Sequence, residues 1–282
     1  MIRNLAKRLG QLALLTVALF GAVLVPLFLR GMYYVQPTAD NWRLLPYVVP
    51  AARYELMVQN FSILHYDFAD SKVQLTCYDG QDRPIRRITH EDAYGLTYMD
   101  YHYEGNVTVI QSVDVGMQHS TFRITTDELG REIRTDYADG SYCIMEYEGD
   151  RTECSASFDY DAQGMLTSKM IRIFDGDTVY RREEDGTGKL LAEDTDTIDV
   201  HGNITASYGW YLQDDGTRKD FAQQQRWTYD DTERRETVRR AYGMTERFWY
   251  DAQERLIRQE TDIEDGILYS GITIEYTDIT RR

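Results

Sequence analysis

The chain has 282 residues, with only three cysteines and five prolines, and a net charge of −16. Four of its 31 basic residues (Arg3, Lys7, Arg8, Arg30) and none of its 47 acidic ones fall in residues 1–30, so the remainder carries −20. A surface this acidic repels nucleic acid phosphates and anionic lipid headgroups, which disfavours both as partners.

The N-terminus reads first. Leu9 to Leu29 contains no charged residue and follows Arg3, Lys7 and Arg8. Twenty-one helical residues at about 1.5 Å each reach about 30 Å, the thickness of a hydrocarbon core. The run is long for a cleaved signal, and its end, Val25-Pro-Leu-Phe-Leu-Arg30, lacks a small-x-small cleavage pattern. Residues 1–30 are therefore expected to form a cytoplasmic N-terminus and a transmembrane signal anchor. Basic residues stay inside, so the bulk of the chain is placed outside the cytoplasm, at a cell surface or in a periplasm. Residues 31–60 read as a stalk: Pro37, Pro46 and Pro50 deny it a long helix or a central strand, with a short helical turn expected near Ala51–Gln59.

From Phe61 to the end the chain reads as an extracytoplasmic all-β domain, residues 61–282. Asp, Gly and Asn recur at Tyr78-Asp-Gly80, Leu129-Gly130, Asp139-Gly140, Gln163-Gly164, Asp185-Gly186, Asp215-Gly216 and elsewhere. These residue types accept positive φ and bond locally, as short hairpin loops require. Between them lie runs such as Val107-Thr-Val-Ile110, Lys169-Met-Ile-Arg-Ile-Phe174 and Gly271-Ile-Thr-Ile-Glu-Tyr276, rich in β-branched and aromatic residues. Turns this close together join antiparallel neighbours, which makes an antiparallel β-meander of consecutive hairpins. Clean apolar alternation is missing in several strands: Leu256 and Ile257 fall on opposite faces. That favours an elongated, curved or spiral sheet over a closed barrel.

Two stretches are the same device written twice: Tyr160-Asp-Ala-Gln-Gly-Met-Leu166 and Tyr250-Asp-Ala-Gln-Glu-Arg-Leu256. Shorter echoes are Tyr229-Asp230, Asp199 with Gly202 and Ile204, Asp127 with Gly130, and Tyr78-Asp79. Tyr-Asp, two residues, Gly, one residue, Leu resembles the YD repeat of RHS-type bacterial surface and toxin proteins. The resemblance implies hairpins that Tyr-Asp enters and Gly turns, winding into a long sheet. It does not imply toxin delivery, since the family's enclosing shells need far more sequence.

No motif for catalysis, cofactor or metal appears: there is no G-x-S-x-G, H-E-x-x-H, S-x-x-K or phosphate loop. Asp194, Asp196 and Asp199 lack the spacing of a calcium loop and read as turn acids. Leu75-Thr76-Cys77 resembles the nucleophile motif of sortases, but too little chain precedes it for a sortase barrel. A two-residue turn at Glu148-Gly149 would put Cys143 opposite Cys154 at the wider cross-strand spacing, which directs the thiols poorly for a disulfide. The chain thus reads as a membrane-anchored extracytoplasmic binding or scaffold protein and not an enzyme. Trp227, Tyr229, Trp249 and Tyr250 are its candidate contact aromatics, toward a protein or carbohydrate partner. The alternatives are an inhibitor or immunity-type protein covering a basic partner, or a hydrolase without a recognisable motif that gathers Asp159, Asp161 and Asp175.

Overall fold

Strand follows strand from Arg53 to Thr280 in the computed structural model of the chain. The structure describes Val25 and residues 41–63, 66–91, 94–114, 119–240, 243–263 and 267–280. β1 (Arg53–Ile63), β2 (Tyr66–Tyr78), β3 (Pro84–Glu91), β4 (Gly95–Glu104), β5 (Val107–Asp114) and β6 (His119–Thr126) come first. Three five-residue strands follow: β7 (Glu132–Asp136), β8 (Tyr142–Glu146) and β9 (Ala156–Tyr160). Then come β10 (Leu166–Asp175), β11 (Thr178–Asp185), β12 (Leu190–Ile198), β13 (Ile204–Leu212) and β14 (Arg218–Asp230). β15 (Arg235–Arg240), β16 (Met244–Tyr250), β17 (Leu256–Ile263) and β18 (Ile267–Thr280) complete the series.

Each strand pairs antiparallel with the next, and β1 also pairs with β18 over eleven residue pairs, from Arg53↔Thr280 to Ile63↔Ser270. The sheet is a closed 18-stranded barrel, which corrects the open, elongated or spiral meander. Closure satisfies the two edges that an open sheet would leave unpaired. The missing alternation does not oppose it: a ring this wide encloses space that side chains need not fill, so its inner face need not be apolar.

The N-terminal expectations also change. β1 begins at Arg53, so the helical turn expected near Ala51–Gln59 is strand. Its alternation of Tyr54, Leu56 and Val58 with Arg53, Glu55 and Gln59 has a period of two, not 3.6. A single 3₁₀ turn, Leu45–Tyr47, precedes it with Pro46 in the first turn. Residues 44–48 lie on the sheet: Leu44, Leu45 and Val48 bury against Tyr54, Leu56, Val73, Leu75, Cys77 and Ile88. The Tyr54 hydroxyl donates to the Val49 carbonyl (3.2 Å) and accepts from the Ala51 N–H (3.0 Å), tying the segment down.

The anchor expected at Leu9 to Leu29 lies outside the described residues apart from Val25. Among the described residues no helix is long and apolar enough to cross a membrane. The described chain is a closed barrel instead of a sheet hung from one helix, and the single-pass placement falls with that picture.

Six hairpins share one five-residue turn: Asp79–Arg83, Asp127–Arg131, Asp161–Met165, Asp185–Lys189, Asp199–Asn203 and Asp251–Arg255. In each, the first N–H donates to the fifth carbonyl at 2.9 Å. The Asp Oδ1 accepts the N–H groups of the third and fifth residues at 2.8–3.0 Å. The fourth residue has positive φ, glycine in four copies and Asp82 and Glu254 in the other two. Tyr137–Ser141 and Gln213–Thr217 have the same backbone path without the leading Asp. Beside every Asp turn the register slips by one residue, for example between Trp249 and Tyr250 or between Leu166 and Ser168. These bulges are what break the apolar alternation at Leu256–Ile257.

Tyrosines from the following strands cover several of these turns. The Tyr103 hydroxyl donates to the Pro84 carbonyl (2.8 Å) and Tyr147 to the Glu132 carbonyl (2.7 Å). Arg83, paired with Asp79, lies 4.3 Å over the Tyr103 ring; Arg131, paired with Asp127, lies 4.6 Å over Tyr147. Arg255 and Tyr276 repeat the arrangement with Asp251. The acidic residues of the Tyr-Asp segments are thus turn caps, held by backbone donors and arginine.

Candidate functional site: an exposed aromatic face on β10 to β13

Directly paired residues share a face, so the register sorts the sheet into two. The first face carries Tyr54, Leu56 and Leu75 under residues 44–48. The same face, followed strand to strand, carries two adjacent rows on the far side of the ring. One row is Ile173, Tyr180, Thr195 and Tyr208; the other is Ile171, Arg182, Glu193 and Trp210. Together they line a groove of about 600 Å³. Ile173 is 61% exposed, Tyr180 46% and Tyr208 45%, an unusual amount of bare apolar surface for mid-strand positions. Arg182 and Glu193 stand side by side at 3.9 Å, both about half exposed. Arg218 sits 4.5 Å over the Trp210 ring and occupies one side of it.

The sequence builds this face through Tyr208-Gly-Trp210. The period of two puts Tyr208 and Trp210 together, and Gly209 faces the other way, opposite Asp194. A Cβ on Gly209 would overlap the Glu193 carbonyl oxygen and lie 2.5 Å from the Asp194 Cβ. The glycine lets β13 close on β12 and forms part of the groove floor.

The four aromatics singled out in the sequence are not gathered into one surface. Trp227 donates its indole N–H to the Ile204 carbonyl (2.8 Å) and stacks near Phe248, ring centroids 6.3 Å apart. The Tyr229 hydroxyl donates to Asp199 and accepts from the Asn203 amide, and the His201 ring lies 3.8 Å away. Tyr250 donates to Glu236 (3.1 Å). Burial first, and then the neighbouring carboxylates, push the Tyr229 and Tyr250 hydroxyls up to about 12. Trp249 lies on the opposite face from these three, beneath Arg258 at 4.7 Å. All four are half-buried and engaged across strands. Tyr180 and Tyr208, by contrast, are exposed together in one row, and their signal was the alternation beside Gly209 and Ile173.

The carboxylates of the hydrolase alternative are also kept apart. Asp159 accepts from the Ser168 hydroxyl (2.6 Å), Asp161 caps its turn, and Asp175 ends β10 at the opposite rim. Asp194 is no turn acid: it is buried mid-strand against Arg181 (2.6 Å). Seven aspartates are held below their usual range. At Asp79 the Arg83 N–H and guanidinium do this; at Asp139, Asp185 and Asp215 the hydroxyls of Ser141, Thr187 and Thr217 lead. At Asp127, Asp199 and Asp251 desolvation pulls the other way and is overcome by donors from Arg131, Tyr229 and Arg255. All seven sit in turns.

The cysteines carry no nucleophile's signature. Cys77 is buried, and desolvation pushes its thiol up to about 11, away from a reactive thiolate. β8 and β9 pair as Glu146↔Ala156, with a nine-residue connection instead of a two-residue turn, so Cys143 faces Asp159 rather than Cys154. The Cys154 thiol instead contacts Arg172 at 2.8 Å.

Charged side chains stand mid-strand on both faces of the sheet. Arg86, Asp100, Arg182, Glu193, Arg247 and Glu260 are on the first, and Arg87, Arg181, Asp194 and Glu246 on the second. Among the described residues neither face offers the unbroken apolar band that a lipid-facing barrel wall carries.

No protein-family model matches the chain, and no curated protein matches it. Among solved structures it is similar to a porin-like protein from Bacteroides uniformis, at 11% identity and a TM-score of 0.44. That match covers 82% of this chain and 98% of the other. A porin-like protein from Bacteroides vulgatus is similar at 12% identity and a TM-score of 0.37, covering 78% and 97%. TcdB2-TccC3 without its hypervariable C-terminal region, a YD-repeat toxin complex, is similar at 14% identity and a TM-score of 0.30, over 70% of this chain and 12% of that one. Function therefore has to come from the barrel's own residues.

A closed barrel does not fit the membrane-anchored scaffold of YD-like hairpins expected from the sequence. Nor does the structure support the two alternatives, an acidic cover for a basic partner or a hydrolase.

Proposed function

We propose that the chain is a non-enzymatic binding barrel whose ligand lies in the β10–β13 groove. One observation carries this: Ile173, Tyr180 and Tyr208 expose apolar and aromatic surface together, mid-strand, on an edge-free wall. Its volume falls within the range of small-ligand clefts. The non-enzymatic part is supported by where the depressed aspartates lie: in turns, where backbone N–H groups, hydroxyls and arginines account for them, while Glu184 in β11 is held low by Lys169 and Arg182. The repeated Asp turn supports the likeness to YD repeats at the level of the single hairpin.

The test is a mixed small-molecule library screened by ¹⁹F resonances of 3-fluorotyrosine, with Tyr180 and Tyr208 assigned through Tyr180→Phe and Tyr208→Phe. Binders should move those two signals and be recovered unchanged. Binders that leave both unmoved, or that are chemically converted, contradict the proposal.

A further inference from the structure

We infer that the ligand of this groove is a neutral, linear glycan lying across the strands along the Ile173–Tyr180–Thr195–Tyr208 row; this rests on the binding function proposed above. Tyr180 and Tyr208 are separated by one strand and share a row, so their rings stand two strand spacings apart, about 10 Å. That matches the advance of two pyranose units in an extended chain, so alternate sugars present their apolar faces to successive rings. Thr195, between them, offers a hydroxyl at the skipped sugar. The parallel row supplies the polar partners: Glu193 as acceptor and Arg182, whose Nε donates to Glu184 at 2.7 Å, as donor through its terminal nitrogens; Arg182 and Glu193 stand 3.9 Å apart and half exposed, within reach of ring hydroxyls. Ile173 at one end and Trp210 beside Tyr208 extend the apolar track.

Charge selects a neutral chain. Within the groove Arg182 offsets Glu193, leaving no net charge, while the whole chain at −16 repels polyanions. A flat, ringed track with one ion pair suits a chain of hydroxyl-bearing rings better than a peptide, whose backbone donors would seek a strand edge that the closed barrel does not offer.

The test titrates the full chain with cello-, xylo-, manno- and chito-oligosaccharides of two and six units, read by calorimetry and by the two fluorotyrosine signals. At least one hexaose should shift Tyr180 and Tyr208 together and bind at least tenfold tighter than its disaccharide, which reaches only one ring. Tyr180→Ala with Tyr208→Ala should weaken that hexaose at least tenfold, whereas the double Phe variant, which keeps both rings, should retain it. Hexaoses no tighter than disaccharides, or indifferent to loss of both rings, overturn the inference. If no saccharide binds but other compounds still move both signals, the glycan assignment fails and the binding barrel stands. If nothing moves them, both fail.

Discussion

Gly186→Ala is expected to destabilise the barrel by about 3 kcal/mol or more, whereas Gly188→Ala, two residues on, should cost about 1–2 kcal/mol. Gly186 has an ordinary φ, so its need for glycine is steric. A Cβ there would land on the Leu166 carbonyl oxygen and lie 2.7 Å from its carbon, both backbone atoms of the β10 bulge. The Gly186 N–H also donates to the Thr167 carbonyl at 2.8 Å, so neither strand can withdraw without losing that bond. Gly188 has the reverse problem: its φ is +85°, but nothing lies within 4 Å of an added Cβ. The strain of a left-handed alanine is its whole cost. Urea midpoints of the two variants check the order, and a larger loss at Gly188 would contradict this account of the contact between β10 and the β11–β12 turn.

Acid is expected to weaken the barrel, and the decline should set in only near pH 4. Asp79, Asp127, Asp139, Asp185, Asp199, Asp215 and Asp251 all titrate lower folded than free, where the ordinary value is 3.8. A depressed folded value means the unfolded chain binds protons first. Their stabilisation is therefore complete above about pH 5 and lost as pH falls through the folded values. Loss of the −16 self-repulsion acts the other way on the approach to the isoelectric point, which keeps the midpoint level down to that range. Urea midpoints from pH 7 to pH 2 should be flat and then fall. Combining Asp127→Asn with Asp251→Asn should lower the neutral midpoint and shrink the acid decline, because two of the titrating caps are gone. A midpoint that rises steadily into acid would contradict the capping role.

Much of the hairpin content was legible because its determinants are local. Asp127 with Gly130, Asp161 with Gly164 and Asp199 with Gly202 each specify a turn within five residues, and the intervening runs became β5, β10 and β18. Where the local signal was ambiguous, the reading slipped. Asp185 is followed by two glycines, and the turn uses Gly188 while Gly186 serves a contact with β10. At Glu148-Gly149 the nearest glycine suggested a tight turn, but β8 and β9 pair only from Glu146 and Ala156. The bulges beside the Asp turns disguised the alternation of β17 and made a closed sheet look improbable. Closure itself joins residues about two hundred positions apart, Arg53 to Thr280, and no spacing within either strand announces it. The groove was missed for a related reason. Tyr180 and Tyr208 become neighbours only through the β11–β12–β13 register, whereas Trp249 and Tyr250, adjacent in sequence, point to opposite faces of their strand.

The central claim is that the ring closes through β1 and β18. Asn60 and Thr273 are directly paired and exposed, so Asn60→Cys with Thr273→Cys can carry a pair of nitroxides in a background with Cys154 replaced by serine. A closed barrel predicts strong dipolar broadening from labels within about 20 Å, since paired Cα atoms lie about 5 Å apart. An open meander of the same strands would separate its first and last members by about 80 Å at the usual strand spacing. A spectrum without dipolar broadening in the folded protein would contradict the closed barrel.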